Sequence, residues 1–397
     1  MQRLSAPQKG SKVSFKITSL ALATGLIMGG FATMASASAE TEYEFGGYIK
    51  VDALITRTDS GTIPTGSIGR DFYIPSLTPV GDGASNTYTD FHARESRFFF
   101  RATQTLANGE KISGYFEFDS LGTPGGDKRV TNSYSPRVRH AFIQYRNWLA
   151  GQFWSNFQDV TIIPESPDFI GAPDGIVFNR QPQLRYTMAN GWSFAVEAPE
   201  TTITPNQGGT ARITTGDTAM PDLTARYQTK IDNIHYSVAA VVRRLEFREN
   251  GVSDTVNGYG INLSTKIDLG AHDIRAGFVH GEGIGRYVGV NSTNDAVVDD
   301  ALNLDTLGYT GITLAYRHVW SDEYRTNLIF ARGKFSDKRE YTGINANDYT
   351  QRVAANVMYQ VNEKLVVGAE ISRATRELLS GSKGNLDRVQ FSAMYSF

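Results

Sequence analysis

The sequence predicts an all-β chain, a transmembrane antiparallel β-barrel of sixteen strands with short turns at one end and long loops at the other. Three observations predict it. Short turn signals alternate with long polar stretches along the chain. The segments between them carry short apolar faces, as suits strands that need roughly 9–11 residues to cross a bilayer. The last eleven residues, 387–397, alternate with period two and finish on an aromatic.

The N-terminus predicts an address. Arg3, Lys9, Lys12 and Lys16 come before the apolar run 17–35, and Ala37-Ser38-Ala39 follows as a small-residue cleavage site. Residues 1–39 therefore read as a secretory signal peptide cut before Glu40, leaving 40–397 as a single barrel domain. No room remains for a plug domain. The chain has no cysteine, which excludes disulfides and thiolate metal sites. It holds 39 basic and 41 acidic residues. Without the four basic residues of the leader, 35 basic face 41 acidic, a net charge of −6. No basic tail or patch suits nucleic acid. Beyond residue 39 there is no apolar run of about 18 residues, so no spanning helix is expected.

The first strand follows directly. Tyr43, Phe45, Gly47, Ile49, Val51, Ala53 and Ile55 form one face, and Lys50, Asp52 and Thr56 fall on the other. Seven short turns then recur, at Ala107-Asn108-Gly109, Arg146-Asn147-Trp148, Ala189-Asn190-Gly191, Ile231-Asp232-Asn233, Gly270-Ala271-His272-Asp273, Ser321-Asp322-Glu323 and Val361-Asn362-Glu363. Several have the Asn, Asp and Gly chemistry of tight hairpins. Eight long loops alternate with them, over 58–90, 122–136, 158–175, 201–221, 246–258, 283–307, 335–349 and 377–385. Seven turns and eight loops join sixteen strands. In an outer-membrane barrel the short turns face the periplasm and the long loops the exterior. Later strands repeat the two-faced pattern. Tyr259, Ile261, Leu263, Thr265 and Ile267 oppose Asn262, Ser264 and Lys266; Val353, Ala355 and Val357 oppose Arg352, Asn356 and Gln360. The polar face is expected to line a wet lumen. Trp148, Trp192 and Trp320 lie in or beside short turns, as in an interfacial aromatic girdle.

The last strand puts Val389, Phe391, Ala393, Tyr395 and Phe397 on one face. A final amphipathic strand with a terminal Phe is similar to the insertion signal of outer-membrane barrels, so the barrel assembly machinery is an expected partner through Phe397, alongside outer-membrane lipid.

No frame for catalysis stands out. The six histidines, His92, His140, His235, His272, His280 and His318, lie in no hydrolase or metalloprotease motif. No catalytic, cofactor or metal residues are assigned. Two rivals remain, an outer-membrane hydrolase and a closed structural or adhesive barrel. The pore chemistry is electrostatic. Basic side chains recur opposite apolar residues, where a lipid-facing arginine at the midplane would cost about 2–4 kcal/mol. Lys50, Arg94, Arg97, Arg139, Arg185 and Arg226 are the expected positive wall groups. Arg94 and Arg97 can both face inward only with a bulge or a strand end between them. Arg180 and Arg185 share a strand in which Pro182 interrupts the ladder. The third long loop carries Asp159, Glu165, Asp168 and Asp174 with three prolines. Asp159, Glu165 and Asp168 are the expected acidic side of a transverse field facing the basic wall.

The motifs Gly46-Gly47-Tyr48-Ile49-Lys50-Val51-Asp52-Ala53, Gly69-Arg70-Asp71-Phe72-Tyr73-Ile74-Pro75, His92-Ala93-Arg94-Glu95-Ser96-Arg97-Phe98, Gly151-Gln152-Phe153-Trp154-Ser155-Asn156-Phe157 and Arg180-Gln181-Pro182-Gln183-Leu184-Arg185-Tyr186 follow one another along the chain. Together this series resembles the DcaP-like porins of Gram-negative bacteria. The resemblance runs from Gly46 to Phe397 and is densest before residue 190. It implies an outer-membrane location, a homotrimer, a constriction built by an inward-folded third loop, and passive diffusion of small anionic solutes, dicarboxylates in particular. Some relatives place a coiled coil before the barrel. This chain shows none, so its trimer is expected to form through barrel walls.

Overall fold

The structure, a computed structural model, describes residues 41–123, 126, 129–215, 218–249 and 252–397, and the predicted signal peptide lies outside them. Sixteen strands make the wall. They are β1 (Thr41–Thr58), β2 (Asn86–His92 and Arg97–Thr105), β3 (Lys111–Asp119), β4 (Arg137–Tyr145), β5 (Trp148–Trp154), β6 (Arg180–Thr187), β7 (Trp192–Glu197) and β8 (Asp222–Ile231), then β9 (Ile234–Glu249), β10 (Val252–Leu269), β11 (His272–Glu282), β12 (Gly308–Val319), β13 (Tyr324–Phe335), β14 (Asn347–Gln360), β15 (Leu365–Leu378) and β16 (Lys383–Ser396). Each pairs antiparallel with its neighbours in sequence. β16 returns to β1, with Tyr48 opposite Ser396 and Thr58 opposite Leu386, which closes the cylinder and leaves the wall without a free edge.

The wall alternates as expected. Ile49, Val51 and Ile55 of β1 point outward, while Lys50, Asp52 and Thr56 point inward and are buried. Outside, Leu263, Leu328, Val353, Ile371 and Phe391 continue the apolar band. All seven short turns stand at the predicted places. Asp232 takes φ 50° and Arg146 φ 51°, the left-handed conformation of two-residue hairpin turns. At that same end Trp148 packs tilted on Tyr186 (4.8 Å) and Trp192 on Tyr227 (5.2 Å), and Trp320 is exposed in its own turn.

Two predicted long loops are not loops. The ladder between β9 and β10 runs up to Arg248 opposite Ser253, and β15 and β16 stay paired up to Glu377 opposite Lys383. These stretches read as loops because apolar alternation ends there. Beyond the bilayer the outer face meets water, so polar residues continue a ladder as well as apolar ones. The β2 interruption resolves the arginine register. Between Tyr48–Arg97 and Asp52–His92, β1 spends four steps and β2 five, so one extra residue in β2 lets both Arg94 and Arg97 face inward. Pro182 does not break β6. It lies just beyond the last residue pair with β7, Gln183 opposite Glu197.

The loops after β7 and β11 leave the wall and pair with each other as a small sheet of Thr201–Thr204, Ile213–Thr215, Ala296–Val298 and Leu304–Thr306. Loop 1 (residues 59–85) and loop 3 (residues 155–179) turn inward. Loop 3 buries Ile162, Ile170, Ala172 and Ile176 against Ala315, Ile329, Ala331 and Ala354 of β12, β13 and β14. Each isoleucine buried this way contributes roughly 1.5–3 kcal/mol.

Candidate functional site

An irregular loop inside a barrel has no ladder to satisfy its backbone, so the wall must supply donors. It does so along the whole of loop 3. Asn262 donates to the Phe157 carbonyl (2.9 Å), Arg226 to Gln158 (2.6 Å), and Asn356 to Glu165 (3.0 Å). Lys50 and Gln390 both donate to Pro167 (2.7 and 2.9 Å). Arg275, Arg352 and the Tyr309 hydroxyl reach the carbonyls of Ile163, Gly171 and Asp174. The polar inward face expected to line water is therefore dry on this side. Asn262, Arg352 and Asn356 are 5, 1 and 3 % exposed because the loop covers them.

The loop carboxylates turn toward the same wall. Asp159 accepts from His235 Nε2 (2.9 Å) and from the Thr161 amide (2.9 Å). Burial raises its pKa, but the His235 bond and the backbone donor hold it below the ordinary carboxylate range. Glu165 takes a two-pronged bond from Arg325, Nε to Oε2 at 2.8 Å and Nη2 to Oε1 at 2.6 Å. Asp168 accepts the Tyr73 amide of loop 1 (2.9 Å) and lies 3.7 Å from Arg352 and 4.0 Å from Arg388. Burial again raises its pKa, and these two guanidinium groups with the backbone donors outweigh it and lower it. Asp174 makes no ion pair among the described residues, and Arg352 lowers its pKa less than burial raises it. Burial pushes its carboxyl up to about 7, and the Tyr73 hydroxyl donates to it at 2.9 Å.

Loop 3 thus leans on β8 through β16 and β1, and the arginines on the opposite wall remain. Arg97 of β2, Arg137 and Arg139 of β4 and Arg180 of β6 surround two carboxylates of β3. Arg139 bonds Glu117 (2.7 Å) and Asp119 (3.0 Å), Arg137 bonds Asp119 (2.9 Å), and Arg97 lies 3.7 Å from Glu117. Four positive charges meet two negative ones, which leaves two positive. Aromatic rings floor this group. Arg180 lies 4.6 Å over Trp154, Arg139 5.4 Å over Phe169 of loop 3, and Arg97 5.1 Å over Tyr48.

The expected wall residues therefore divide. Arg97 and Arg139 come together around Glu117. Arg94 lies nearer the outer mouth, donating to the Thr123 carbonyl (2.9 Å) and paired with Asp71 at 3.3 Å. Lys50 is enclosed by Asp52 (3.2 Å), Glu95 and Pro167. Arg185 bonds Gln183 (2.9 Å) and the Trp154 carbonyl, and Arg226 supports loop 3. Asp159, Glu165 and Asp168 face their own partners on the loop-bearing wall and not the arginine group.

Sequence reasoning left Arg180 without a role and missed Arg325, and it missed the apolar floor under loop 3. For the floor a signal was present. Leu328-Ile329-Phe330-Ala331 is apolar on both faces, as a strand is when both sides are covered. Among the described residues, no group of three or more His, Asp or Glu side chains is placed to hold a metal ion.

Comparison with solved structures gives the same barrel. The outer membrane channel DcaP of Acinetobacter baumannii aligns at TM-score 0.76 and 21% identity, over 93% of this chain and 100% of that one. The anion-selective porin of Comamonas acidovorans aligns at 0.54 and 10% identity, over 90% and 100%. OmpT of Vibrio cholerae, an outer membrane protein, aligns at 0.52 and 12% identity, over 90% and 98%. These likenesses are of fold. No curated protein sequence matched the chain. The family model described as DcaP outer membrane protein matches residues 32–397, and the chain accordingly belongs to that family of channel-forming barrels in the Gram-negative outer membrane.

Proposed function

We propose that this chain is a diffusion porin for small hydrophilic solutes that favours small organic anions, dicarboxylates among them. The observation that carries the reading is the surplus of two positive charges in the Arg97–Arg137–Arg139–Arg180 group, on the β2–β6 wall, which loop 3 meets there through the Phe169 and Phe178 rings and not through its carboxylates. In a narrow passage with low-dielectric walls such a surplus concentrates anions and repels cations. The loop carboxylates do not cancel it, since His235, Arg325, Arg352 and Arg388 already face them. Arg97 and Arg139 act as positive wall groups, and Lys50 and Arg226 act by holding the loop that narrows the lumen. The Comamonas acidovorans porin, similar in fold, is itself anion-selective.

The same reading includes a leader at residues 1–39, a homotrimer joined through barrel walls, and delivery by the barrel assembly machinery. It includes no catalytic step. The ring of Phe397 packs on Phe45 and Phe98 (both 5.8 Å), within the aromatic belt where a recognition signal is accessible.

The test is the zero-current potential of the purified protein in a planar bilayer under a potassium chloride gradient. An anion-selective sign is expected. A cation-selective sign overturns the reading. Absence of any conductance favours a closed structural barrel, for which the lumenal packing of loops 1 and 3 is the supporting observation.

A further inference from the structure

We infer that Arg180 is the anchor for a solute carboxylate in the lumen, oriented for that purpose by Trp154. The inference rests on the anion-conducting reading and adds to it a binding residue and a binding group.

Arg180 is the only arginine among the described residues whose guanidinium makes neither a hydrogen bond nor an ion pair. Its Nη1 is buried and has no partner. A buried donor without an acceptor is unfavourable, and where other arginines leave one buried nitrogen unpaired, Arg352 and Arg388 among them, the rest of the guanidinium is bonded. The side chain is held all the same. It lies 4.6 Å over Trp154, its cross-strand partner, and 5.9 Å from the Phe178 ring. That contact fixes the plane of the fork and leaves its N–H groups unspent.

The surroundings specify what fits. Arg180 shares the Trp154 ring with Arg139, at 4.6 and 5.9 Å, and Arg139 shares the Phe169 ring with Arg137, at 5.4 and 5.7 Å. Asp119 is already taken, by Arg137 at 2.9 Å and Arg139 at 3.0 Å. The missing component is an anion with planar, paired acceptors, and a carboxylate meets an arginine fork in that way. A dianion would also match the surplus of two charges. The neighbouring arginines would receive its second carboxylate.

A charge filter and an anchor differ in what lysine can replace. Lysine keeps the charge but not the fork or the stacking plane. The experiment uses the full chain in planar bilayers, with succinate as the probe, and compares Arg180→Lys and Arg180→Gln with the parent. Each channel is read twice, by its reversal potential in a potassium chloride gradient and by the succinate concentration that halves the current. The anchor predicts that Arg180→Lys keeps the anion-selective sign while its half-blocking concentration rises about tenfold, the loss of one charge-assisted pair. Arg180→Gln is expected to show the same rise and a weaker anion preference. If both variants stay within about twofold of the parent in succinate block, the anchor is overturned and the anion reading stands. An anion-selective parent that succinate does not block also overturns the anchor alone. A cation-selective parent overturns both. Should one variant fail to assemble, the other decides, because each alone separates block from selectivity.

Discussion

The grip of β14 and β15 on loop 3 can be measured through Arg352. Its side chain is 1 % exposed and makes its closest ion pair with Glu370, equally buried, at 2.5 Å. Its other arm reaches the Gly171 carbonyl and lies 3.7 Å from Asp168. The guanidinium also sits 5.3 Å from the Tyr73 ring of loop 1. Replacement by glutamine removes a charge-assisted bond worth about 1.5–3 kcal/mol. It also leaves Glu370 with only Ser166 (2.6 Å) and Asn356 (3.0 Å) as donors. A buried charge stripped of its partner costs about 3–5 kcal/mol, so Arg352→Gln should lose that much. Glu370→Gln alone should lose less, because the remaining cation keeps Asp168 beside it. The double variant should recover part of the loss, with a coupling of about 1–3 kcal/mol. Urea unfolding in lipid vesicles, followed by tryptophan fluorescence, gives all four corners of the cycle. A single-variant loss below about 1 kcal/mol, or losses that add within about 0.5 kcal/mol, would refute the claim that this pair holds the loop. Single-channel records of the same variants should show added closing events as the loop detaches.

Two further outcomes are expected. Asp174 titrates near 7 in the folded chain because burial disfavours its charge, against about 3.9 unfolded. Stability should thus fall as pH rises from about 4 to 7 and level off above, by at most about 4 kcal/mol at 1.36 kcal/mol per pH unit. Asp174→Asn should remove that slope, and thermal unfolding at pH 5 and pH 8 checks it; equal losses in both proteins would sink the assignment. The second concerns an inward glycine. A Cβ at Gly333 would stand 2.5 Å from the Asp174 carbonyl oxygen and 2.9 Å from the Tyr309 ring. Gly333→Ala should cost about 1–3 kcal/mol through overpacking and raise open-channel noise, whereas unchanged noise and stability would mean that loop 3 does not seat there.

The barrel was legible in the chain because its rules are local. A strand that faces lipid on one side must alternate, and a hairpin of two residues needs Asp, Asn or Gly chemistry. Each rule acts within a dozen residues, so β1, the seven turns and the tryptophan girdle all stood where their own neighbourhoods put them. The seam between β1 and β16 could be anticipated only as closure, since its register pairs residues more than three hundred positions apart. Where alternation fades, as above β9, β10, β15 and β16, composition no longer separates ladder from loop.

The site was decided in the tertiary structure. Whether an inward arginine is free depends on what lies across the lumen, and periodicity contains no such information. Lys50, Arg226 and Arg352 look like lumen cations by pattern, yet they serve as donors to loop 3, whose carbonyls have no ladder inside the barrel. Asp159, Glu165 and Asp168 were recognisable as an acidic loop, but the direction they face follows from which wall offers an apolar floor, Ile329 and Ala331 among it. The sequence by itself determined a sixteen-stranded wall with charge on its inner face, because the bilayer imposes that pattern strand by strand. Only the folded chain decided which of those charges are consumed and which, like Arg180, remain unpaired, because that depends on contacts between segments the pattern does not connect.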